Sequence, residues 1–198
     1  MNPWRDAPTL EGRHVTLRAL EVEDKQALVD VAATGDLWDT FYANVAQLKD
    51  AHGWFAATFR ERDHGRAFPF AVVANGAVVG TTRLMRLNEQ HRRVEIGGTF
   101  YAKAVQRTGV NTEAKLLLLT HAFEAMNCQC VQIRTDFLNK RSQAAIERLG
   151  AKRDGILRGH QIVAGRLRDT VVYSILDREW EGVRRNLEFL LARGGTSA

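Results

Sequence analysis

A short turn at residues 106–111 combines residue types that bind anions. Its sequence is Gln-Arg-Thr-Gly-Val-Asn, and it opens onto a helix that continues into a run of four leucines at residues 116–119. The first turn of a helix leaves several backbone N–H groups without intrahelical partners, and the helix dipole adds about half a positive charge there. Arg107 can supply a full charge. The stretch therefore predicts a site for a phosphate or pyrophosphate.

The common nucleotide-binding motifs do not occur in this sequence. It contains neither G-x-G-x-x-G nor G-x-x-x-x-G-K-[ST], so neither a Rossmann dinucleotide site nor a P-loop is supported. A second polar block does follow downstream. It runs Asn139-Lys140-Arg141-Ser142-Gln143, then Leu149-Gly150-Ala151, then Gly155-Ile156-Leu157-Arg158.

Together these two blocks resemble the GNAT superfamily of N-acetyltransferases, and within it the RimJ/RimL-type branch. Residues 106–111 are similar to the family's Q/R-x-x-G-x-G/A pyrophosphate loop, and residues 111–114 to the variant of that branch. The downstream block is similar to the branch's N-x-x-S-x-x-x-I-x-x-L-G-F followed by E-G-x-x-R. The resemblance covers roughly residues 10 to 177, which is most of the chain.

The resemblance implies a fold and a cosubstrate. The fold is α/β of the α+β kind, the GNAT acyl-CoA N-acyltransferase fold, with a mixed and mostly antiparallel central sheet flanked by helices. The cosubstrate is acetyl-CoA, and no metal is expected. In this family the pyrophosphate lies on the loop, which here is Gln106, Arg107, Thr108, Gly109, Val110, Asn111 and Thr112. The pantetheine arm lies as a pseudo-strand along the main chain of Gly98, Thr99, Phe100 and Tyr101, and Asn139 bonds its amide.

Glu95 is the first candidate for the catalytic base. In a strand over residues 93–101, Val94 and Ile96 share one face, so Glu95 projects from the other, and several family members use a carboxylate there. An ordinary carboxylate has a pKa of about 4.3 and is a weak base, so burial must raise its pKa. The alternatives are a structural ion pair of Glu95, with Arg93 or Arg134, and a different base, Asp154 or His160.

The group that protonates the leaving thiolate is less evident. Many family members place a Tyr in the helix after Asn139, but the matching residue here is Ile146, which cannot donate a proton. Ser142 is the remaining hydroxyl, and a serine at this place in the branch is proposed to contact the sulfur; helix capping is the alternative for Asn139 and Ser142. The lack of Tyr keeps a second reading open: a non-catalytic CoA-sensing or RNA/ribosome-binding module on the same fold.

The acceptor is expected to be a primary amine, on a peptide or protein N-terminus or on a small molecule. In the resembled fold the first helices wall the acceptor pocket, so Trp38, Tyr42 and Trp54 are predicted to touch substrate, with core packing as the alternative. A covalent acyl-cysteine route is disfavoured because Cys128 lies about 15 residues, roughly 22 Å, along the helix from the turn. Direct transfer in a ternary complex is preferred.

Composition agrees with a globular protein. The 198 residues predict one domain over 1–198, with a loose arm at 1–9 and a closing helix and tail at 178–198. There is no apolar run of ~20 residues and no signal-peptide core, so the expected location is cytoplasmic. The net charge of +5 is scattered, and nucleic acid is therefore not the expected partner. The two cysteines are expected to be reduced core thiols, and the branch allows a homodimer.

Local signals predict several turns and helices. Asn75-Gly76 lies between two β-rich runs and favours a type I′ hairpin turn. Gly97-Gly98 inside a strand predicts a bulge. A further helix is expected over 140–149, a strand pair around residues 163–166, and an amphipathic closing helix that begins near Trp180.

Overall fold

The computed structural model describes residues 2–34 and 49–194. Within them the chain forms one sheet of eight strands and five α-helices. The strands are β1 (Leu10–Glu11), β2 (Thr16–Ala19), β3 (Ala67–Ala74), β4 (Ala77–Asn88), β5 (Arg93–Tyr101), β6 (Cys130–Asp136), β7 (Lys152–Val163) and β8 (Arg166–Leu176). The helices are α1 (Lys25–Ala33), α2 (Ala51–Asp63), α3 (Gly109–Thr120), α4 (Lys140–Glu147) and α5 (Trp180–Gly194).

The sheet is mixed and largely antiparallel. Its strand order is β1-β2-β3-β4-β5-β6-β8-β7, and every neighbouring pair is antiparallel except β5 with β6. Parallel neighbours require a crossover connection, and α3 supplies it. The predicted fold class is confirmed, and α3 is the element that follows the predicted anion-binding turn.

Both predicted hairpins form, and the first has the expected turn. Asn75 and Gly76 have φ of 50° and 77° between β3 and β4, and Ala164 and Gly165 have φ of 49° and 77° between β7 and β8. Two successive residues with positive φ are the requirement of a type I′ turn, whose twist matches that of the flanking strands.

Helices cover both faces of the sheet. On one face α3 and α5 pack on a large apolar cluster that includes Leu118, Leu187 and Ile96. On the other face α1 and α2 cover a smaller cluster that includes Leu28, Phe55 and Phe100. No helix of the described residues is long and apolar enough to cross a bilayer.

The segment before β1 is anchored, so the prediction of a loose arm at 1–9 is wrong for this part of it. Trp4 is only 9% exposed, and its Nε1 donates to the carbonyl of Met126 at 3.1 Å. The buried indole of Trp4 and its hydrogen bond hold this segment against the end of the α3 segment.

A buried carboxylate ties the loop between β1 and β2 to α3. Glu113 accepts the main-chain N–H groups of Arg13 at 2.8 Å, His14 at 2.6 Å and Val15 at 2.8 Å. Its own side chain is 6% exposed, and Gly12 leaves room for it, since a methyl group there would lie 2.6 Å from Cδ of Glu113. This clamp fixes the position of α3 and therefore of its N-terminus.

Candidate active site

The N-terminus of α3 has the form of an anion site. Thr108 is the N-cap: its Oγ1 accepts from the N–H of Val110 at 3.3 Å and donates to the carbonyl of Val105 at 2.7 Å. The first-turn N–H groups, those of Gly109 and Asn111 among them, have no intrahelical acceptors because of their position. Arg107 is exposed and has a φ of 64°, a strained conformation that such a loop imposes.

Two side chains of the predicted loop are already engaged within the protein. Gln106 donates through Nε2 to the carbonyl of Tyr101 at 3.0 Å, and its Oε1 accepts from Arg141 of α4. Thr112 is 3% exposed and accepts through Oγ1 from Arg148 at 2.9 Å. These bonds tie the turn to β5 and α4, so any contact of Thr112 with a ligand must involve its main chain.

Strands β5 and β6 separate beside this turn. Their ladder ends at Ile96 and Ile133, although β5 continues to Tyr101 and β6 to Asp136. Among the described strands, none pairs with the edge of residues 97–101 that faces β6. Gly98 has a φ of 58° and the β4–β5 register shifts there, which confirms the predicted bulge. An open main-chain edge of this kind can accept an extended ligand as an added strand.

The side chains along this edge pack inward and leave the main chain to face the opening. Phe100 joins the cluster under α2, and Tyr101 joins the cluster under α3. The Tyr101 hydroxyl is buried without a partner among the described residues, and burial raises its pKa well above the ordinary value. The Oγ1 atoms of Thr99 and Thr82 lie 2.8 Å apart.

Lys115 lies beneath the open edge and was not singled out from the sequence. Its Nζ donates to Oγ1 of Thr99 at 2.8 Å and to Oγ1 of Thr82 at 3.2 Å. The residue is 6% exposed, and burial lowers the pKa of Lys115 to about 7. Its sequence signal was available: Lys115 stands four residues before Leu119, on the apolar stripe of α3.

Helix α4 begins on the far side of the opening. Asn139 is its N-cap and accepts through Oδ1 from the N–H of Ser142 at 2.9 Å, so the capping role is observed, while a role toward the pantetheine amide stays a prediction. Ser142 is half-buried. Ile146 is 5% exposed and belongs to the core, so no tyrosine hydroxyl is available at this position.

Glu95 lies just before the separation of the strands, on the face opposite Val94 and Ile96 as predicted. Its Oε2 is 3.0 Å from Nε of Arg86 and 3.2 Å from Nε of Arg134. Oε1 points toward the bulge, 3.7 Å from where a methyl group on Gly97 would lie. Burial raises the pKa of Glu95 and outweighs the opposing effect of the nearby arginine charges. The arginines therefore engage Oε2, and Oε1 lies over Gly97 at the bulge.

Arg86 is a part of this arrangement that the sequence did not reveal. It has a φ of 53°, and the register between β4 and β5 shifts between Met85 and Asn88. In a regular strand the alternation of side chains would not put Arg86 on the same face as Glu95. The bulge changes this and lets the two residues make contact. The ion pair foreseen with Arg134 is present, and the second partner is Arg86, not Arg93.

The other proposed bases lie on the strands beyond β6. Asp154 accepts from the Ser174 hydroxyl at 2.8 Å. Nδ1 of His160 is 3.0 Å from Oγ1 of Thr170, and the pKa of His160 is lowered by burial first and then by arginine charges that include Arg134. His160 is therefore within electrostatic reach of the residues around Glu95.

Trp54 lies on α2 and lines a cleft of about 500 Å³ together with Arg83. Its ring meets Phe55 edge-on at 5.0 Å and Phe100 at 6.5 Å between centroids. The other two predicted substrate contacts, Trp38 and Tyr42, lie outside the described residues.

Neither thiol is suited to carry an acyl group. Cys128 is buried and burial raises its thiol pKa to about 12, while Cys130 is half-buried and its pKa is also raised, chiefly by burial. Both are free. A nucleophilic cysteine requires a lowered pKa, so these environments favour the thiol and not the thiolate.

A parallel strand pair that opens beside a helix N-terminus, with a carboxylate at the closed end, defines the class of coenzyme A-dependent acyltransferases. Comparison with known proteins agrees. Residues 14–152 match the family model described as "Acetyltransferase (GNAT) domain". The chain belongs to the GNAT acetyltransferase family, as its two motifs predicted.

The similarity extends to individual proteins. The chain is 31% identical to the Bacillus subtilis protein named "Putative ribosomal N-acetyltransferase YdaF", over 85% of this chain and 94% of that protein. A GCN5-related N-acetyltransferase from Brucella melitensis superposes with a TM-score of 0.83 at 26% identity, covering 94% of this chain and 86% of that one. Mycobacterium smegmatis RimJ, solved with CoA-disulfide, shares the fold: its TM-score is 0.76 at 22% identity, over 97% and 96% of the two chains.

Proposed function

We propose that this protein transfers the acetyl group of acetyl-CoA to a primary amine, on a peptide N-terminus or a small molecule, directly in a ternary complex. The observation that carries the proposal is the opening of β5 from β6 between the α3 N-terminus and Glu95. A ligand that is anionic at one end and carries amides along its length fits the helix N-terminus and the open edge, and Glu95 is left to act on the acceptor amine. The name of the Bacillus subtilis relative, a ribosomal N-acetyltransferase, supports an amine acceptor.

The residues present fit the coenzyme. The first turn of α3 and Arg107 would hold the pyrophosphate, since they offer main-chain donors and positive charge. The unpartnered edge of residues 97–101 would hold the pantetheine arm through main-chain hydrogen bonds. When bound, acetyl-CoA supplies the thioester: the amine nitrogen bonds to its carbonyl carbon, the C–S bond breaks, and CoA leaves as the thiol.

Glu95 would remove the proton that the amine must lose. A lysine ammonium has a pKa of about 10.4 and an α-ammonium one of about 7.7–8.0, so an acceptor is mostly protonated at neutral pH. Oε1 of Glu95 would take this proton directly or through a water, while Arg86 and Arg134 hold Oε2 in place. The raised pKa of Glu95 makes it a stronger base than an exposed glutamate.

Ser142 would relay the proton that the leaving sulfur takes: its hydroxyl gives a proton to the thiolate and recovers one from solvent water. It is the half-buried hydroxyl in the first turn of α4, and its backbone N–H is already fixed by Asn139. The high pKa of Cys128 argues against an acyl-cysteine intermediate, which supports direct transfer.

Calorimetric titration with acetyl-CoA tests the coenzyme site. A methyl group at Gly109 would lie 3.5 Å from Leu191 and 3.6 Å from His14, which are ordinary contacts, so a side chain fits there. Gly109→Asp puts a carboxylate at the first helical position, where it favours the helix but repels a pyrophosphate. Gly109→Asn has the same size without the charge. We expect the Asp variant to lose binding and the Asn variant to retain most of it.

A folded wild-type protein that binds no acetyl-CoA would overturn the proposal. Thiol release in the presence of an amine panel then tests the reaction itself. Tight binding without thiol release for any amine would favour the non-catalytic CoA sensor, the reading that Ile146 keeps open. RNA binding with a steep salt dependence would favour the RNA-binding module.

The homodimer and the cytoplasmic location are proposals that the reaction does not require. Analytical ultracentrifugation of the purified protein tests the first, and fractionation of the source cells tests the second.

A further inference from the structure

Arg83 of β4 lies directly on the bulge of β5. It is paired in register with Gly97, and its side chain crosses Gly98, where an added methyl group would lie 2.3 Å from Nε and 3.0 Å from Cζ. Met85 is paired with Glu95 in the same ladder, so Arg83 and Glu95 share one face of the sheet. The guanidinium therefore stands beside the place where the proposed reaction occurs.

This arginine has no carboxylate partner among the described residues. Its Nε is enclosed and makes no hydrogen bond there, and no described acidic group lies within 4.0 Å of it. The centroid of the Trp54 ring is 5.2 Å from its Cζ. A charged guanidinium in a largely enclosed site is costly unless paired, which indicates that an anion completes it.

The charge of Glu61 acts on Arg83, but both glutamates that line this cleft have closer arginine partners. Glu61 is bound by Arg66, with its oxygens 2.7 Å and 3.0 Å from Nη2 and Nε. Glu95 is bound by Arg86 and Arg134. The cleft of about 460 Å³ that Arg83 shares with these groups is lined by five arginines and two glutamates. Such a cleft repels a polycationic acceptor and attracts an anionic one.

We propose that Arg83 binds a carboxylate of the acceptor, so that the acceptor is a primary amine with a carboxylate a few bonds away. The inference rests on the proposed acetyltransferase function. Arg83 and Glu95 are diagonal neighbours on adjacent antiparallel strands, which puts them about 7–8 Å apart. This spacing lets them hold the two groups of such a molecule at once. The Trp54 ring lies beside the guanidinium of Arg83 and limits the orientations that the guanidinium can adopt. The carboxylate belongs to a free amino acid or to an acidic residue at a peptide N-terminus.

Sets of acceptors that differ only in the presence of the carboxylate test the proposed role of Arg83. Thiol release is measured with an amino acid, its amide and its decarboxylated amine, and with peptides that begin with Asp or with Asn. We expect kcat/KM to be about 10- to 100-fold higher for a carboxylate-bearing acceptor than for its neutral match. A preference within the amino-acid set identifies the free amino acid as the source, and one within the peptide set identifies the peptide.

Variants assign the preference to Arg83. Arg83→Gln should abolish the discrimination by raising KM for the carboxylate acceptor alone, while acetyl-CoA binding and thermal stability are retained because no partner carboxylate is left unpaired. Arg93→Gln removes the same charge from the same cleft at an exposed position and should keep the discrimination. Arg83→Lys should restore part of it.

The outcomes separate this inference from the function on which it rests. Equal rates for carboxylate and neutral acceptors, or an equal loss for both in Arg83→Gln, would overturn the role of Arg83 and leave the acetyltransferase intact. No thiol release with any amine, despite acetyl-CoA binding, would overturn both.

Discussion

Nζ of Lys115 lies 2.8 Å from Oγ1 of Thr99, so α3 places a buried amine directly beneath the open edge of β5. Its two hydrogen-bond acceptors are threonine hydroxyls, and no described carboxylate forms a salt bridge with it. Because burial disfavours the ammonium, the pKa of Lys115 falls to about 7, and the residue is partly neutral at physiological pH.

Lys115→Met should change how stability depends on pH. The folded pKa of Lys115 is about 7 and its ordinary value is 10.5, so between these values the unfolded chain binds more protons. This residue therefore makes the free energy of unfolding rise with pH from about 7 to 10.5, by up to ~1.4 kcal/mol per pH unit, and adds a constant penalty below 7. We expect the Met variant to be more stable at pH 6 and its advantage to shrink as pH rises.

Chemical denaturation at several pH values between 6 and 9.5 measures this difference. Lys103→Met, at an exposed turn position, is the matched control and should follow the wild type. A wild type and a Lys115→Met variant with parallel pH profiles would show that the Lys115 ammonium is not disfavoured in the folded state.

Glu95→Gln should lower kcat/KM by about 10²- to 10⁴-fold, the range of a lost general base. Acetyl-CoA binding should persist, because Glu95 lies on the acceptor side of the sheet. In the wild type the rate rises with pH as Glu95 loses its proton, at a pKa raised by burial. This rise of the rate with pH should vanish in the Gln variant, while the rise caused by deprotonation of the acceptor amine remains. A Gln variant with wild-type turnover would show that Glu95 is not the general base, and His160 would be tested next.

Arg86→Asn should move the acidic limb of the pH–rate profile to higher pH. The positive charge of Arg86 lowers the pKa of Glu95, so its loss lets burial raise that pKa further. Asn tolerates the φ of 53° at this position. Arg92→Asn is a matched control, since Arg92 also has a positive φ of 45° and makes no salt bridge with Glu95. If the acidic limb of the pH–rate profile stays at the same pH in Arg86→Asn, then the charge of Arg86 does not affect the pKa of Glu95.

Glu113→Gln should destabilise the protein by about 2–4 kcal/mol, because charge-assisted bonds to three backbone N–H groups are weakened at once. Urea denaturation measures the change. Glu188→Gln, on the exposed side of α5, should stay within about 0.5 kcal/mol of the wild type. A loss no larger than that of the control would mean that the clamp adds little to stability.

Ser142→Ala and Asn139→Ala should have different effects. The backbone N–H of Ser142 forms the capping bond, so Ser142→Ala keeps the cap and should lower kcat about tenfold without loss of stability. Asn139→Ala removes the acceptor of that bond and should cost about 1 kcal/mol. Stopped-flow thiol release and thermal unfolding measure the two effects. An unchanged kcat in Ser142→Ala would leave the thiolate to be protonated by solvent.

The candidate site divides into a part that local sequence predicted and a part that it did not. The α3 turn, the bulge at Gly98 and the orientation of Glu95 followed from helix-end chemistry, glycine placement and strand alternation. The inward bonds of Gln106 and Thr112 did not, because they depend on Arg141 and Arg148, which lie 35 and 36 residues further along the chain.

The sequence by itself determined most of the strands, the hairpin at Asn75-Gly76 and the α3 N-terminus, because each depends on neighbouring residues and their spacing. Its two motifs, by their resemblance, also determined the family. Only the tertiary structure decided the electrostatics. It brought Arg86 to Glu95, left Arg83 without a described carboxylate within 4.0 Å and buried Lys115 against threonine hydroxyls. Which charges meet is settled by strand register and helix packing between distant segments, and periodicity along the chain carries no information about those distances.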